Sequence, residues 1–230
     1  MNIRMLKTRA LESLKGNWAV SIGVAAVAAL FGGLIAGLSF LPQISVSTEI
    51  TALQELNRIL EEGIRIGRFT FGLNNGILGF ARFLLGGVIQ LGFVQFLLKQ
   101  YRGDNLDWHD LFSQFDRFGQ SFAQMFLREL YTLLWGLLLI VPGIMKSLSY
   151  AMTPYIMAEQ PELSASDAIE KSMVMMEGHK LDLFLLHLSF IGWDILAAIT
   201  AGIGNLVLNP YKNAAITAFY QELKRSHPYL

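Results

Sequence analysis

The chain has 230 residues, of which 53% are hydrophobic and only 16% are charged, and its mean hydropathy is +0.43. About a quarter of the residues in an ordinary globular protein are charged, so this composition argues against a water-soluble domain. Its 18 basic residues balance 18 acidic ones, which gives no support to nucleic acid as a partner. The absence of cysteine excludes disulfides, thiolate metal sites and a cysteine nucleophile.

The first predicted membrane span covers residues 18–41. No charged side chain occurs from Gly16 to Thr48, and the span is longer than the ~20 residues that cross a hydrocarbon layer of about 30 Å. A secretory signal peptide is the alternative, because basic residues precede the apolar segment. The apolar region of a signal peptide has only about 7–15 residues, so we favour a retained membrane helix.

Further apolar segments predict an all-α, polytopic bundle of six transmembrane helices, with five as the alternative. The additional spans are residues 76–98, 121–141, 143–158, 181–201 and 203–223. A single helix over 121–158 would be ~57 Å long, too long for one crossing. Pro142-Gly143 therefore predicts a tight turn between two helices. The last span is the weakest because it contains several polar residues and a proline.

Basic residues predict the orientation of this bundle. Eleven of them lie in the N-terminal segment, in loops 99–120 and 159–180 and at the C-terminus, whereas four lie in the outer loop 42–75 and near Pro142. The positive-inside rule then places both termini in the cytoplasm. The sequence thus predicts a single multi-pass domain, residues 1–230, in the cell membrane.

Three connecting segments have the apolar spacing of amphipathic helices: residues 2–17, 48–62 and 164–177. The spacing in 2–17 predicts an interfacial helix that lies in the headgroup plane. In 164–177, Ser164 and Asp167 predict an N-cap, and Gly178 follows where a C-cap glycine belongs. We expect the methionine-rich face of this helix to pack on the bundle or on lipid rather than on a partner helix.

Several motifs resemble those of one family. They are RALESLKGNW at 9–18, LFSQFDRFG at 111–119, the block 137–184, LSFIGW at 188–193 and NPYKNAAITAFYQEL at 209–223. Together they are similar to the DUF975 family of bacterial integral membrane proteins, whose function is unknown. The resemblance covers nearly the whole chain except 43–75, and it implies a location and an architecture but no reaction. Residues 164–180 also resemble a cytoplasmic helix in membrane domains attached to some glycerophosphodiester phosphodiesterases, without any catalytic residue.

Charged residues inside the predicted spans are the main candidates for a site, because a lone charge at mid-bilayer costs at least ~2.5–3.5 kcal/mol. Counting at about 1.5 Å per residue places Arg82, Lys146 and Asp194 at similar depth in the outer half. They predict either an intramembrane polar site open to the outside or a structural pair between Arg82 and Asp194. We favour the structural pair.

A second candidate group lies towards the inner side of the predicted bundle. Arg128 and Glu129 occur early in the third span, and His187 lies in the fifth. His187 is a candidate proton relay, because histidine titrates near neutral pH. We favour the alternative, in which it is a hydrogen-bonded packing residue.

An acidic cluster follows the second span, but we predict no metal or cofactor site there. It consists of Asp104, Asp107, His109 and Asp110. Oxygen and imidazole ligands suit a divalent cation, yet the cluster has no EF-hand spacing and no second group of ligands accompanies it. The alternative that we favour makes Asp107 a helix cap, with Trp108, Phe112, Phe115 and Phe122 at the membrane interface.

The sequence contains none of the common catalytic or nucleotide-binding motifs. G-x-S-x-G, the P-loop, G-x-G-x-x-G and H-E-x-x-H are all missing. We therefore predict a non-catalytic membrane protein that binds lipid, a partner membrane protein or a second copy of itself. The alternatives are a small transporter or permease that uses the outer polar set, and a lipid-active membrane enzyme.

Overall fold

The computed structural model describes residues 1–30, 64–66, 69–71, 76–138, 140–199 and 204–226. Nearly all of these residues are helical, which confirms the predicted all-α class. The helices are α1 (Ile3–Leu14), α2 (Trp18–Leu30), α3 (Gly76–Arg102), α4 (Phe118–Leu138), α5 (Ile140–Ser149), α6 (Thr153–Glu159), α7 (Ala165–Met175), α8 (Lys180–Leu188), α9 (Ile191–Ile199) and α10 (Asn205–Ser226). Two short 3₁₀ helices, Trp108–Phe112 and Phe115–Arg117, connect α3 to α4.

Within the described ranges, no helix is both long enough and apolar enough to cross a membrane.

A short antiparallel hairpin interrupts the helical order between α2 and α3. It consists of β1 (Ile64–Ile66) and β2 (Phe69–Phe71). The rest of the predicted outer loop 42–75, including the amphipathic helix expected at 48–62, lies outside the described residues. The second half of the predicted span 18–41 does as well.

The turn predicted at Pro142-Gly143 occurs earlier in the chain. Helix α4 ends at Leu138 and α5 begins at Ile140, so Pro142 stands in the first turn of α5. An amide in that position has no partner within its own helix, so proline is tolerated there. A Cβ atom on Gly143 would lie 2.8 Å from the Cα atom of Gly136, which shows how closely the two helices approach.

The single helix predicted over 143–158 is wrong, because the chain turns between Ser149 and Pro154. Pro154 lies in the first turn of α6 and cannot donate a backbone hydrogen bond. The buried Ser172 hydroxyl of α7 pairs two other backbone groups at this turn: it accepts from the Met152 amide (3.2 Å) and donates to the Ser149 carbonyl (2.7 Å). A side chain thereby replaces hydrogen bonds that a continuous helix would have made.

The single helix predicted over 181–201 also divides, at Ser189 and Phe190. Lys7 of α1 donates from Nζ to the Ser189 carbonyl oxygen (3.0 Å), and the same nitrogen lies 4.2 Å from the Phe190 ring centroid. The carbonyl freed at the end of α8 is thus paired by a distant side chain. Helix α1 therefore fixes the junction between α8 and α9.

The amphipathic helices expected at 2–17 and 164–177 are present as α1 and α7. The apolar residues Leu6, Ala10 and Leu14 of α1 are buried in the main core, and α1 packs on α10. The position of α1 in the headgroup plane stays a prediction. Helix α7 packs on α4 and α6 with its apolar face, which includes Ile169 and Met175, also buried. Packing on the bundle removes this apolar area from the surroundings.

Candidate functional site

The residues of the predicted outer site have separate partners in the described structure. Lys146 Nζ lies 5.1 Å from the ring centroid of Trp135 and 3.9 Å from the sulfur of Met173. The Asp194 carboxylate forms an ion pair with Lys212. The side chain of Arg82 lies outside the described residues, so its pairing with Asp194 stays a prediction.

Lys212 is the partner of Asp194 that the sequence interpretation missed. Its side chain is only 16% exposed, and it reaches from α10 to α9. Asp194 and Lys212 stand equally far from residue 203, in the connection between these helices. Equal spacing from a connection places two residues at the same level of an antiparallel helix pair, and this signal could have identified the ion pair.

His187, predicted as a member of the inner group, lies near this ion pair. The charges of Lys212 and Asp194 both act on its imidazole. Arg128 and Glu129, by contrast, contact each other, with Nη2 and Oε1 3.0 Å apart. Lys146, the pair of Asp194 and Lys212, and the pair of Arg128 and Glu129 therefore lie in different parts of the fold.

Arg128 takes part in a buried polar cluster between α3 and α4. Its Nη2 atom lies 3.3 Å from Oε1 of Gln90, and Nε2 of Gln124 lies 3.4 Å from the same oxygen. Arg128 is only 7% exposed, and both glutamines are buried. The polar side of α4 thus faces the bundle interior, where the guanidinium is paired with amide and carboxylate oxygens.

Glu159, which the sequence interpretation did not single out, connects three helix ends. Its carboxylate is paired with Arg102 at the end of α3, and it accepts hydrogen bonds from Tyr220 (2.8 Å) and Lys224 (2.5 Å) of α10. The Glu159 side chain is 8% exposed. Burial alone would raise its pKa, but the hydrogen bonds from Lys224 and Tyr220 and the charge of Arg102 lower it below the ordinary value.

We expect Glu159→Gln to lower the free energy of unfolding by about 1.5–3 kcal/mol at neutral pH, because a charged hydrogen-bond partner is lost. Since the folded-state pKa of Glu159 lies below its unfolded value, its contribution is present above the unfolded pKa. It is lost as the pH falls through the folded pKa. The free energies of unfolding of the unmodified protein and of Glu159→Gln should therefore become equal in acid. Denaturation in detergent across a pH series measures this, with the exposed Glu162→Gln as the matched control. If the difference in free energy of unfolding were the same in acid as at neutral pH, the stabilising role of the ionised Glu159 carboxylate would be contradicted.

In the acidic cluster that follows α3, the side chains of Asp107 and Asp110 are paired with other residues. Asp107 caps the first 3₁₀ helix: its carboxylate accepts from the His109 amide (3.0 Å) and lies 2.8 Å from the His109 ring nitrogen. These contacts lower the pKa of Asp107. Asp110 is paired with Lys99 (2.5 Å). Among the described residues, no three histidine or acidic side chains are grouped in a way that could hold a metal ion.

Comparison with known proteins gives one match, to a family of unknown function. No curated protein and no solved structure matches the chain. Residues 137–227 match the family described as "Protein of unknown function (DUF975)". The matched segment includes Lys146, Glu159, His187, Asp194 and Lys212. Over residues 137–227, this chain is similar to the DUF975 family, which supports the resemblance indicated by its sequence motifs.

Proposed function

We propose that this chain is a membrane protein without catalytic function, and that it acts by binding another membrane component, either a lipid or a protein. The arrangement of spans predicted from the sequence, with both termini in the cytoplasm, belongs to this proposal. In it, the exposed sides of α4, α5, α8 and α9 face lipid.

The observation that carries this proposal is the orientation of α4. Ser121, Gln124 and Arg128 are buried on its inner side, whereas Phe126 and Leu137 are exposed, Leu137 to 75%. A surface helix in water has the opposite distribution, with apolar residues inside and charged residues outside. The inverted distribution of α4 supports apolar surroundings.

Exposed apolar side chains continue onto three further helices. They are Met145 on α5, Leu181, Leu185 and Leu188 on α8, and Ile191, Trp193, Ile195 and Leu196 on α9. Full burial of such a side chain contributes about 1.5–3 kcal/mol. Apolar surface on this scale is typical of an interaction site or a membrane contact, which supports lipid as the medium around these helices.

The charged residues support a binding role rather than a reaction. Asp194 is paired with Lys212, Glu159 is held by three donors, and Asp107 caps a helix. Groups engaged in this way fix helices to one another and are poorly placed to exchange protons or hold a substrate. A stable scaffold that presents apolar surface fits the binding of a membrane partner.

Cysteine labelling tests the membrane placement, and the chain has no cysteine of its own to interfere. We expect Ser13→Cys, Ser166→Cys and Ser226→Cys to resist an impermeant thiol reagent in intact cells, because the positive-inside rule places them in the cytoplasm. Val141→Cys, near the turn between α4 and α5, should react from outside. Permeabilised cells provide the control, since all four variants should then be labelled.

Two outcomes contradict the proposal, one from this labelling and one from an alkaline wash of membranes. Labelling of Ser166→Cys in intact cells would overturn the cytoplasmic placement of α7. Release of the protein from membranes by an alkaline wash would overturn membrane embedding itself.

The binding role is tested by extracting the protein with its surrounding lipid and identifying stoichiometric components. Solute flux through purified protein in liposomes, without any bound component, would instead favour the transporter.

A further inference from the structure

Aromatic side chains form a row on the surface where α3 connects to α4. We call this row the aromatic ridge; it consists of Trp108, Phe112, Phe115, Phe118, Phe122 and Phe126. Ring centroids are 6.2 Å apart between Trp108 and Phe112, and 6.0 Å between Phe112 and Phe115. The row continues along α4 with stacked rings at 6.3 and 5.9 Å. Trp108 is 59% exposed. The other rings are exposed as well, except that of Phe122, which is partly buried.

The backbone beneath the first part of the aromatic ridge is fixed to α3. A Cβ atom on Gly92 of α3 would lie 2.5 Å from the Leu111 carbonyl carbon, so the first 3₁₀ helix lies directly against α3. Lys99 of α3 pairs with Asp110 (2.5 Å), and the buried Leu111 side chain packs in the same core cluster as α3 residues. These contacts direct the neighbouring aromatic rings outward on a rigid support.

The aromatic ridge continues into the exposed apolar side of α4. Phe118, Phe122 and Phe126 follow one another at intervals of four residues, and Leu137, eleven residues after Phe126, returns to the same side of the helix. The side of α4 proposed to face lipid therefore begins at the aromatic ridge. Aromatic side chains are favoured at the boundary between headgroups and acyl chains.

The charges beside the aromatic ridge indicate which kind of lipid surface it fits. Asp104, Asp107 and Asp116 are exposed there, and the exposed basic residues nearby are Arg102 and Arg117. Such a surface has no excess of positive charge and would not be drawn to anionic headgroups. The aromatic ridge also contains no arginine or tyrosine, which are enriched together with tryptophan in the centres of protein interfaces. Neutral, zwitterionic lipid is the better match.

We infer that the aromatic ridge inserts at the boundary between the headgroups and the acyl chains of a zwitterionic bilayer. There it fixes the depth of α4. This inference rests on the proposed function, because it requires α4 to be in contact with lipid.

Two proteins with a single tryptophan test the inference separately from the proposed function. The chain has four tryptophans; replacing three of them with phenylalanine leaves either Trp108 or Trp193. Each full-length protein is reconstituted in phosphatidylcholine vesicles that carry bromine at a shallow or a deep acyl position. We expect shallow bromine to quench Trp108 at least twofold more than deep bromine. Trp193, which is 56% exposed on α9, should be quenched by bromolipid and protected from aqueous iodide.

The outcomes distinguish the two claims. If iodide quenches Trp108 as strongly as free tryptophan while bromolipid quenches Trp193, the inference fails and the proposed function stands. If bromolipid quenches neither residue, the proposed function fails. If deep bromine quenches Trp108 more than shallow bromine, the assigned depth is overturned.

Substitutions within the aromatic ridge provide a second test on the Trp108 protein. Serine at Phe112 and Phe115 removes two exposed rings, and we expect iodide quenching of Trp108 to rise several-fold. Tyrosine at the same positions is the matched control, because it keeps aromatic rings that suit the interface. Equal iodide quenching in the serine and tyrosine variants would contradict insertion of the aromatic ridge.

Discussion

Gly92→Ala should lower the free energy of unfolding by about 3 kcal/mol, at the upper end of the range for overpacked sites. The added Cβ would overlap the carbonyl oxygen of Leu111 and lie 2.5 Å from its carbonyl carbon. Both are backbone atoms of a 3₁₀ helix that Lys99 and Asp110 hold in place, so no flexible side chain can move aside. The strain must displace the helix that carries the start of the aromatic ridge.

Gly23→Ala is the matched control for this prediction. Gly23 lies inside α2, and a Cβ there would meet nothing within 4 Å. Alanine is a better helix former than glycine, so this variant should be more stable by about 0.5–1 kcal/mol. Denaturation of both proteins in detergent gives the comparison. Equal stabilities, or an unchanged Trp108 emission spectrum in Gly92→Ala, would show that the 3₁₀ helix does not rest on α3 as described.

Asp194→Asn should cost about 3 kcal/mol of stability, because it leaves the charge of Lys212, whose side chain is only 16% exposed, without its partner. Lys212→Gln should cost less, because the Asp194 side chain is 40% exposed and its carboxylate can be hydrated. Since Lys212 is largely buried, its ammonium cannot easily regain hydration when Asp194 is neutralised. The double variant removes both charges and should be milder than the sum of the single changes. The free energy of unfolding in detergent, measured over the full cycle, gives the coupling.

A second cycle provides the control and tests the predicted partner Arg82. The exposed pair of Glu222 and Arg225, 3.4 Å apart, should show a coupling of only about 0.5 kcal/mol or less. Combining Asp194→Asn with Arg82→Gln tests the pairing expected from the sequence. Additive effects of Asp194→Asn and Lys212→Gln would contradict the ion pair seen between α9 and α10.

Local signals in the sequence predicted local structure well. The Asp167 amide donates to the Ser164 hydroxyl (3.2 Å), which confirms the expected N-cap of α7. Gly178 has a φ of +78°, as its position after this helix suggested. Periodicity likewise located α1. These features depend on residues three or four positions apart, which a sequence displays directly.

Breaks inside apolar segments could not be predicted in the same way. At the junction between α8 and α9, the Ser189 carbonyl accepts a hydrogen bond from Lys7, which is 182 residues away in the chain. The Glu159 carboxylate likewise forms ion pairs with residues of α3 and α10. Hydropathy marks such stretches as continuous, because it contains no information about a distant side chain that can replace a backbone hydrogen bond.

Counting depth along predicted helices identified Asp194 as a residue in need of a partner but did not point to Lys212. A count along the sequence shows which charged residues lie at the same depth, but it does not show which neighbouring helix contacts a given residue. Helices adjacent in the sequence are usually adjacent in space, and this rule favours Lys212 on the next helix. The described structure has that pairing.

The bond from Ser172 to the corner between α5 and α6 also affects the order of folding. The Met152 amide and the Ser149 carbonyl are paired through the Ser172 hydroxyl, 20 and 23 residues away in the chain. The corner therefore cannot reach its final geometry until α7 has been synthesised and has docked in register. A shift of α7 by one position would present Lys171 or Met173 instead, and neither can both donate and accept a hydrogen bond as a hydroxyl does. We therefore expect the corner to form together with the docking of α7, and a misaligned α7 to leave the Met152 amide and the Ser149 carbonyl without this partner.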